Sequence, residues 1–172
     1  NLDDAVVRRT LAQFRVMNLF SGWYRLYRRS LRPALRAARR PMTLLDIGCG
    51  GGDVPVQLGR WAALDGELSI TAIDIDPRAI SYCHERYGSA PITFRCASIV
   101  DIEHEGAQFD FVISNHLIHH FADEELSAFA RQNERVCRSM VIWNDVERSL
   151  SARWGLCALA PLLGRNSVII QD

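Results

Sequence analysis

The chain has 172 residues, 48% of them hydrophobic, and its 20 basic and 20 acidic side chains give a formal net charge of zero. That size and apolar content fit one soluble domain with a sizeable core, and the lack of any run of eighteen apolar residues or of a signal-peptide pattern argues against a membrane span and against export. Five cysteines, an odd number without C-x-x-C spacing, argue against a disulfide framework and a structural zinc site, so a reducing cytoplasm is the expected compartment.

Charge is unevenly spread. Residues 1–41 carry ten Arg against Asp3 and Asp4, whereas residues 42–172 carry ten Arg against eighteen acids. Near-helical spacing of Val7, Leu11, Phe14 and Met17, and then of Trp23, Leu26, Tyr27, Leu31 and Leu35, predicts two or three amphipathic helices over residues 4–40, interrupted at Gly22 and Pro33. Thr43 to Ile47 is an apolar run ended by glycines, followed by a predicted helix from Val54 to Leu64. Leu68 to Asp74 reads as a second strand, and Pro77 opens a helix through Tyr87. Ile92–Cys96, Phe109–Ser114 and Ser139–Asn144 complete five strands, with a helix over Asp123–Val136 before the last. Strands alternating with helices predict the α/β class: a doubly wound, mainly parallel sheet with helices on both faces and an N-terminal helical extension. The expected division is a helical cap over 1–41 and a core over 42–172. The start at Asn1 leads us to expect residues in front of it.

Ligands of such sheets bind outside the carboxyl ends of the strands. The segments to inspect are therefore Asp46–Gly52, Asp74–Asp76, Ala97–Asp101, Ser114–His120 and Asn144–Glu147. Gly48, Gly50, Gly51 and Gly52 allow a ligand to approach the backbone closely. Asp74 ends the next strand 26 positions after Gly48, where a carboxylate can accept both hydroxyl protons of a ribose. A nucleoside ligand is implied. A dinucleotide fingerprint would need glycine where Asp53 stands, and that acid would repel a pyrophosphate at the helix start. Asp46 and Asp53 instead suit an ammonium and a sulfonium, both of which S-adenosylmethionine carries.

Leu44-Leu-Asp-Ile-Gly-Cys-Gly-Gly-Gly-Asp53, Ala72-Ile-Asp-Ile-Asp-Pro77 and Phe109-Asp-Phe-Val-Ile-Ser-Asn-His-Leu-Ile-His-His120 resemble the first, second and fourth motifs of class I, Rossmann-like S-adenosylmethionine-dependent methyltransferases. The resemblance covers about residues 42–145. It implies that Asp46, Gly48, Gly50 and Gly52 hold the methionine part of S-adenosyl-L-methionine, that Asp74 holds the ribose, that Ile75 packs on adenine and that Asn115 joins the cofactor set. Ser98, with Ile99 beside it, stands where many relatives have an acid for the adenine amino group, and either its hydroxyl or Asp101 is expected to accept that bond. The product would be S-adenosyl-L-homocysteine. Relatives continue with a helix and two strands, which the resemblance implies are missing after Asp172.

His116, His119 and His120 would share one face if their stretch is helical, a spacing that could also bind zinc, although no cysteine or carboxylate partner is evident and no metal is expected. His119 is the candidate general base, able to take a proton from a phenol or enol. Ser114-Asn-His-Leu117 replaces the Asn-Pro-Pro-Tyr-like turn of enzymes that act on nucleic-acid or protein amino groups. A small-molecule acceptor of phenol, quinol or polyketide type is therefore expected, with no nucleic acid. Residues 44–148 are similar to methyltransferases of quinone and polyketide-type metabolism. The Arg-rich stretch 23–40 reads as a solvated helix face, with peripheral contact to an anionic surface left open. A nicotinamide-dependent oxidoreductase and a non-catalytic adenosyl-binding protein remain as alternatives, and the oligomeric state is not legible.

Overall fold

The computed structural model describes residues 3–20 and 22–145; the expected readings at Glu147, Arg148 and Cys157 and at the chain end lie outside the described residues. Two helices, α1 (Asp4–Phe20) and α2 (Trp23–Ala37), precede β1 (Met42–Ile47), α3 (Asp53–Ala62), β2 (Leu68–Asp74), α4 (Pro77–Tyr87), β3 (Ile92–Cys96), α5 (Ile99–His104), β4 (Phe109–Asn115), a 3-10 turn (Ile118–His120), α6 (Asp123–Val136) and β5 (Cys137–Asn144). All strand pairings are parallel, in the order β3-β2-β1-β4-β5. The α/β doubly wound expectation is met. The chain walks outward from β1 to β3 and then crosses back to β4, so strand order reverses between β1 and β4. Their carboxyl ends form the crevice in which such sheets bind ligands.

Both faces of the sheet are covered, which is why the strands read as unbroken apolar runs rather than alternating ones. On one face Leu44, Ile70, Phe111, Ile113 and Ile142 pack with α2 and α3; on the other Leu45, Ile73 and Val112 pack with α5 and α6. The buried stripe of α2, Trp23, Tyr27, Leu31 and Leu35, recurs every four residues and enters the first of these clusters directly. Helix α2 therefore shares a core with the sheet. Pro33 does not interrupt α2 as expected; it costs one backbone hydrogen bond, and the buried residues on either side carry the helix through it.

The uneven charge is partly answered within the fold. Arg8 pairs with Glu85 at 2.6 Å, Arg32 and Arg36 with Asp65, and Arg40 in a two-pronged contact with Asp110. The Arg40 guanidinium and the Thr43 backbone and hydroxyl hold the Asp110 carboxyl down at about 2, against the cost of burial.

Helix α5 was not legible because six residues are too few to show a period. A capping box at Ser98 closes its start: the hydroxyl accepts from the Asp101 N–H, while the Asp101 carboxylate accepts from the Ser98 N–H at 2.8 Å. No described helix is long and apolar enough to cross a membrane.

Candidate active site at the strand switch

The turn after β1 is tied to β2, because Gly48 and Cys49 both donate to the Ile73 carbonyl at 2.9 Å. Its glycines divide into two roles. A Cβ at Gly52 would stand 2.7 Å from Cys83 Sγ and 2.9 Å from the Phe94 ring, so this glycine lets α3 approach α4 and β3. At Gly50, where φ is +50°, a Cβ would meet nothing nearer than Leu11 Cδ2 at 3.8 Å. It would project into a small cavity of about 110 Å³ lined by Asp46, Gly48, Asp53, Asn115 and His116 and by Leu11 and Phe14 of α1. Gly50, rather than Gly52, is the glycine whose missing side chain opens onto this cavity.

Asp46 points into that space from β1. It is 1% exposed, and neither carboxylate oxygen has a hydrogen-bond partner among the described residues. Burial first, and then the charges of Asp53 and Asp74, push its carboxyl up to about 8. An unpaired buried acid costs free energy, and native proteins rarely keep one without a use for it. Asp53 opens α3, where its charge suits the helix dipole. It accepts from Asn18 Nδ2 at 3.0 Å; burial raises its pKa and the Asn18 bond works against that.

Asp74 ends β2 with one oxygen accepting from the Gly50 N–H and the other from the Asp76 N–H, both at 2.9 Å. The acid therefore also shapes the glycine turn, and the remaining lone pairs on both oxygens can accept from a diol. Ile75, next in the chain, is 76% exposed, a large apolar side chain at the edge of the crevice. Ile99 is buried at the start of α5. Ser98 donates its hydroxyl proton to Asp101 at 2.7 Å as part of the capping box. The Ser98 N–H and hydroxyl together hold the Asp101 carboxyl below its usual range.

Across the switch, the ends of β4 and β5 carry side chains that hold one another. Asn144 Nδ2 donates to Asn115 Oδ1 at 2.5 Å, Asn115 Nδ2 donates to Asn18 Oδ1 at 3.3 Å, and Asn18 passes the chain to Asp53. This relay links β5, β4, α1 and α3 over the cavity. The Tyr27 hydroxyl donates to the Ser114 carbonyl at 3.1 Å from below, and burial with nearby Asp46 and Asp145 raises its pKa strongly.

The histidines do not lie on one helical face. His116 precedes the 3-10 turn with φ +55°, and only His119 and His120 lie within it. His119 Nδ1 is 2.7 Å from Asp145 Oδ1, and its N–H donates to Asp145 Oδ2 at 3.0 Å. Asp145 thus fixes both ring and backbone. The His119 and His120 ring centres are 4.0 Å apart. His116 Nδ1 is 4.0 Å from the same carboxylate, and its pKa is lowered by burial against the pull of Asp145. No cluster able to hold a metal ion occurs among the described residues. Asn18 and Asp145 were not singled out individually from the sequence; Tyr27 was read only as part of the apolar stripe of its helix, and Asn144 and Asp145 carried a signal through their place at the end of the fifth strand.

The donor set fits the cofactor implied by the motifs: a lone carboxylate in a cradle that a Cβ would fill, a second acid at the helix start and a third at the end of β2. A parallel sheet with this switch point and this site defines a Rossmann-like S-adenosylmethionine-dependent methyltransferase core. The family described as "Methyltransferase domain" matches residues 44–140, and the chain belongs to it. A malonyl-[acyl-carrier protein] O-methyltransferase of Anoxybacillus flavithermus is 42% identical over 81 residues, 46% of this chain and 29% of that protein. A ubiquinone biosynthesis O-methyltransferase of Methylobacterium sp. is 32% identical over 92 residues, 52% of this chain and 34% of its own length. Among solved structures, the plantazolicin methyltransferase in complex with SAH superposes with TM-score 0.61 at 20% identity, over 95% of this chain and 66% of that one. The matches span about a third of the length of the curated relatives.

Proposed function

We propose that this chain binds S-adenosylmethionine in the cradle between β1 and β4 and takes part in transferring its methyl group to a small-molecule acceptor, an aromatic hydroxyl or an activated carbon. The observation that carries the reading is the unpaired, buried Asp46 beneath the Gly50 opening, which offers a carboxylate where an ammonium would sit. Asp74 holds the ribose hydroxyls. Ile75 and Ile99 flank the adenine, with Asp101 of the capping box as the acceptor for its amino group, since the Ser98 hydroxyl donates to Asp101. Asn115 braces the wall of the cradle through Asn18.

When bound, the cofactor supplies a methyl carbon already activated by positive sulfur. The protein has mainly to align the acceptor and keep water out. His119 removes the acceptor proton through Nε2, and Asp145, accepting from Nδ1–H, holds the ring in place. The Leu11 and Phe14 side chains and the asparagine relay roof the site.

The O-methyltransferase relatives support an oxygen acceptor and the quinol and carrier-bound acid classes. Transfer of labelled methyl from S-adenosylmethionine to a panel of phenols, quinols and acyl carboxylates tests this. Methylation of a member supports the reading; binding of the cofactor with no transfer to any of them contradicts the acceptor class, and absence of binding contradicts the site.

A further inference from the structure

A second, larger recess of about 450 Å³ lies on the outer side of the Asn18–Asp53 pair, between α2, α3 and the end of α4. It is within the size range of small-molecule pockets. Four guanidiniums line it, Arg15, Arg28, Arg60 and Arg86, and they come from four different helices. The only acid in the wall is Asp53, which is buried and already bonded to Asn18. Like charges gathered this way repel one another, and Arg28 and Arg60 have no ion-pair partner among the described residues. An arrangement of this kind is relieved by an anion.

Two of the guanidiniums are laid on rings. Arg28 sits 5.9 Å from the centre of the Trp61 ring, and Arg86 sits 5.5 Å from that of Tyr87, whose hydroxyl also meets its Nε at 3.2 Å. Stacking reduces the rotamer freedom that an exposed arginine would otherwise lose on binding. The Trp61 indole N–H is buried with no acceptor among the described residues, a further donor without a partner. Unlike Arg32, Arg36 and Arg40 on the far part of the basic segment, which pair with Asp65 and Asp110, these four arginines form no salt bridge among the described residues.

We propose that this recess is a binding site, separate from the cofactor cradle, for a small phosphate-bearing ligand with a flat ring. The fork geometry of the guanidiniums takes the phosphate, and the planar group packs on the guanidinium-and-ring pairs Arg28–Trp61 and Arg86–Tyr87. Nucleotides and aryl phosphates both have this chemistry.

The test is calorimetric titration of the whole chain with phenyl phosphate, uridine monophosphate and inorganic phosphate, each with and without saturating S-adenosylhomocysteine. Arg28→Gln and Arg60→Gln are the variants; both positions are exposed, and circular dichroism confirms their folding. Phenyl phosphate or the nucleotide should bind at least about tenfold more tightly than inorganic phosphate, and each variant should weaken binding by about tenfold, the loss of one charge-assisted hydrogen bond. Affinity for S-adenosylhomocysteine should be unchanged in both variants. The stronger of the two ringed ligands identifies the source. Equal affinity for inorganic phosphate overturns the ring part of the proposal. Absence of saturation up to about 5 mM, or binding unaffected by either substitution, overturns the site. Competition by S-adenosylhomocysteine would mean that the phosphate ligands enter the cradle instead, which also overturns it.

Discussion

The two halves of the crevice are built on opposite plans. At the ends of β1 and β2 the crevice is lined by backbone and carboxylates: Gly50 leaves a space and, among the described residues, Asp46 is buried without a partner and Asp74 is held only by backbone N–H groups. At the ends of β4 and β5 the side chains have already found one another, as His119 with Asp145 and Asn144 with Asn115 and Asn18. Under the proposed function, the first half binds the charged cofactor and the second positions the base. A half that binds should therefore respond to substitution in affinity, and a half that orients should respond in rate.

The largest expected effect is in rate. His119→Ala should lower methyl transfer to a phenolic acceptor by about a hundred- to ten-thousand-fold, the contribution of a positioned base, while sparing cofactor affinity. His120→Ala, at an exposed position beside it, should change turnover little. Steady-state kinetics of both variants check this, and equal turnover in both would leave alignment as the whole of catalysis.

Gly50→Val should come next. Its side chain would fill the cavity beneath Leu11, and calorimetry should show cofactor affinity lowered at least a hundredfold, about 2.7 kcal/mol. The positive φ also costs the folded state about 1–3 kcal/mol, so the melting temperature should fall as well. Undiminished affinity would remove Gly50 from the site.

Asp74→Ala should cost roughly 1.5–3 kcal/mol of cofactor binding, the range for hydrogen bonds to a charged group. It also frees the Gly50 N–H, so Asp74→Asn, which keeps an acceptor for that donor, separates the two roles. If both variants bind as wild type, the ribose lies elsewhere.

Much of this was legible in the sequence because the residues concerned act through position. The strands could be read as apolar runs, since both faces of the sheet are buried, and Asp46, Gly50 and Asp74 follow from where β1 and β2 end. Pro33 misled because a propensity for interruption gave way to the packing of Leu31 and Leu35. Ser98 was legible as an oxygen just after β3, but its use in capping α5 depends on a helix too short to detect. The pairs His119–Asp145 and Asn18–Asn115 join residues 26 and 97 positions apart, and no periodicity announces such contacts.

Asp46 is the group on which cofactor binding at this cradle depends in the proposed function. A carboxyl raised from 3.8 to about 8 in the folded protein is protonated in the free site at pH 6.5 and must ionise to meet an ammonium. By the same linkage it favours folding at low pH, and that stability is lost as pH rises from the unfolded value through the folded one. Calorimetry of S-adenosylmethionine binding at pH 6.5, in buffers of different ionisation enthalpy, should show about one proton released per site, with affinity rising up to about tenfold per pH unit towards pH 8. Asp46→Asn should abolish the release and weaken binding. A binding enthalpy independent of buffer in the wild type, or the same proton release in the Asn variant, would contradict the assignment of Asp46 as the partner of the cofactor's ammonium.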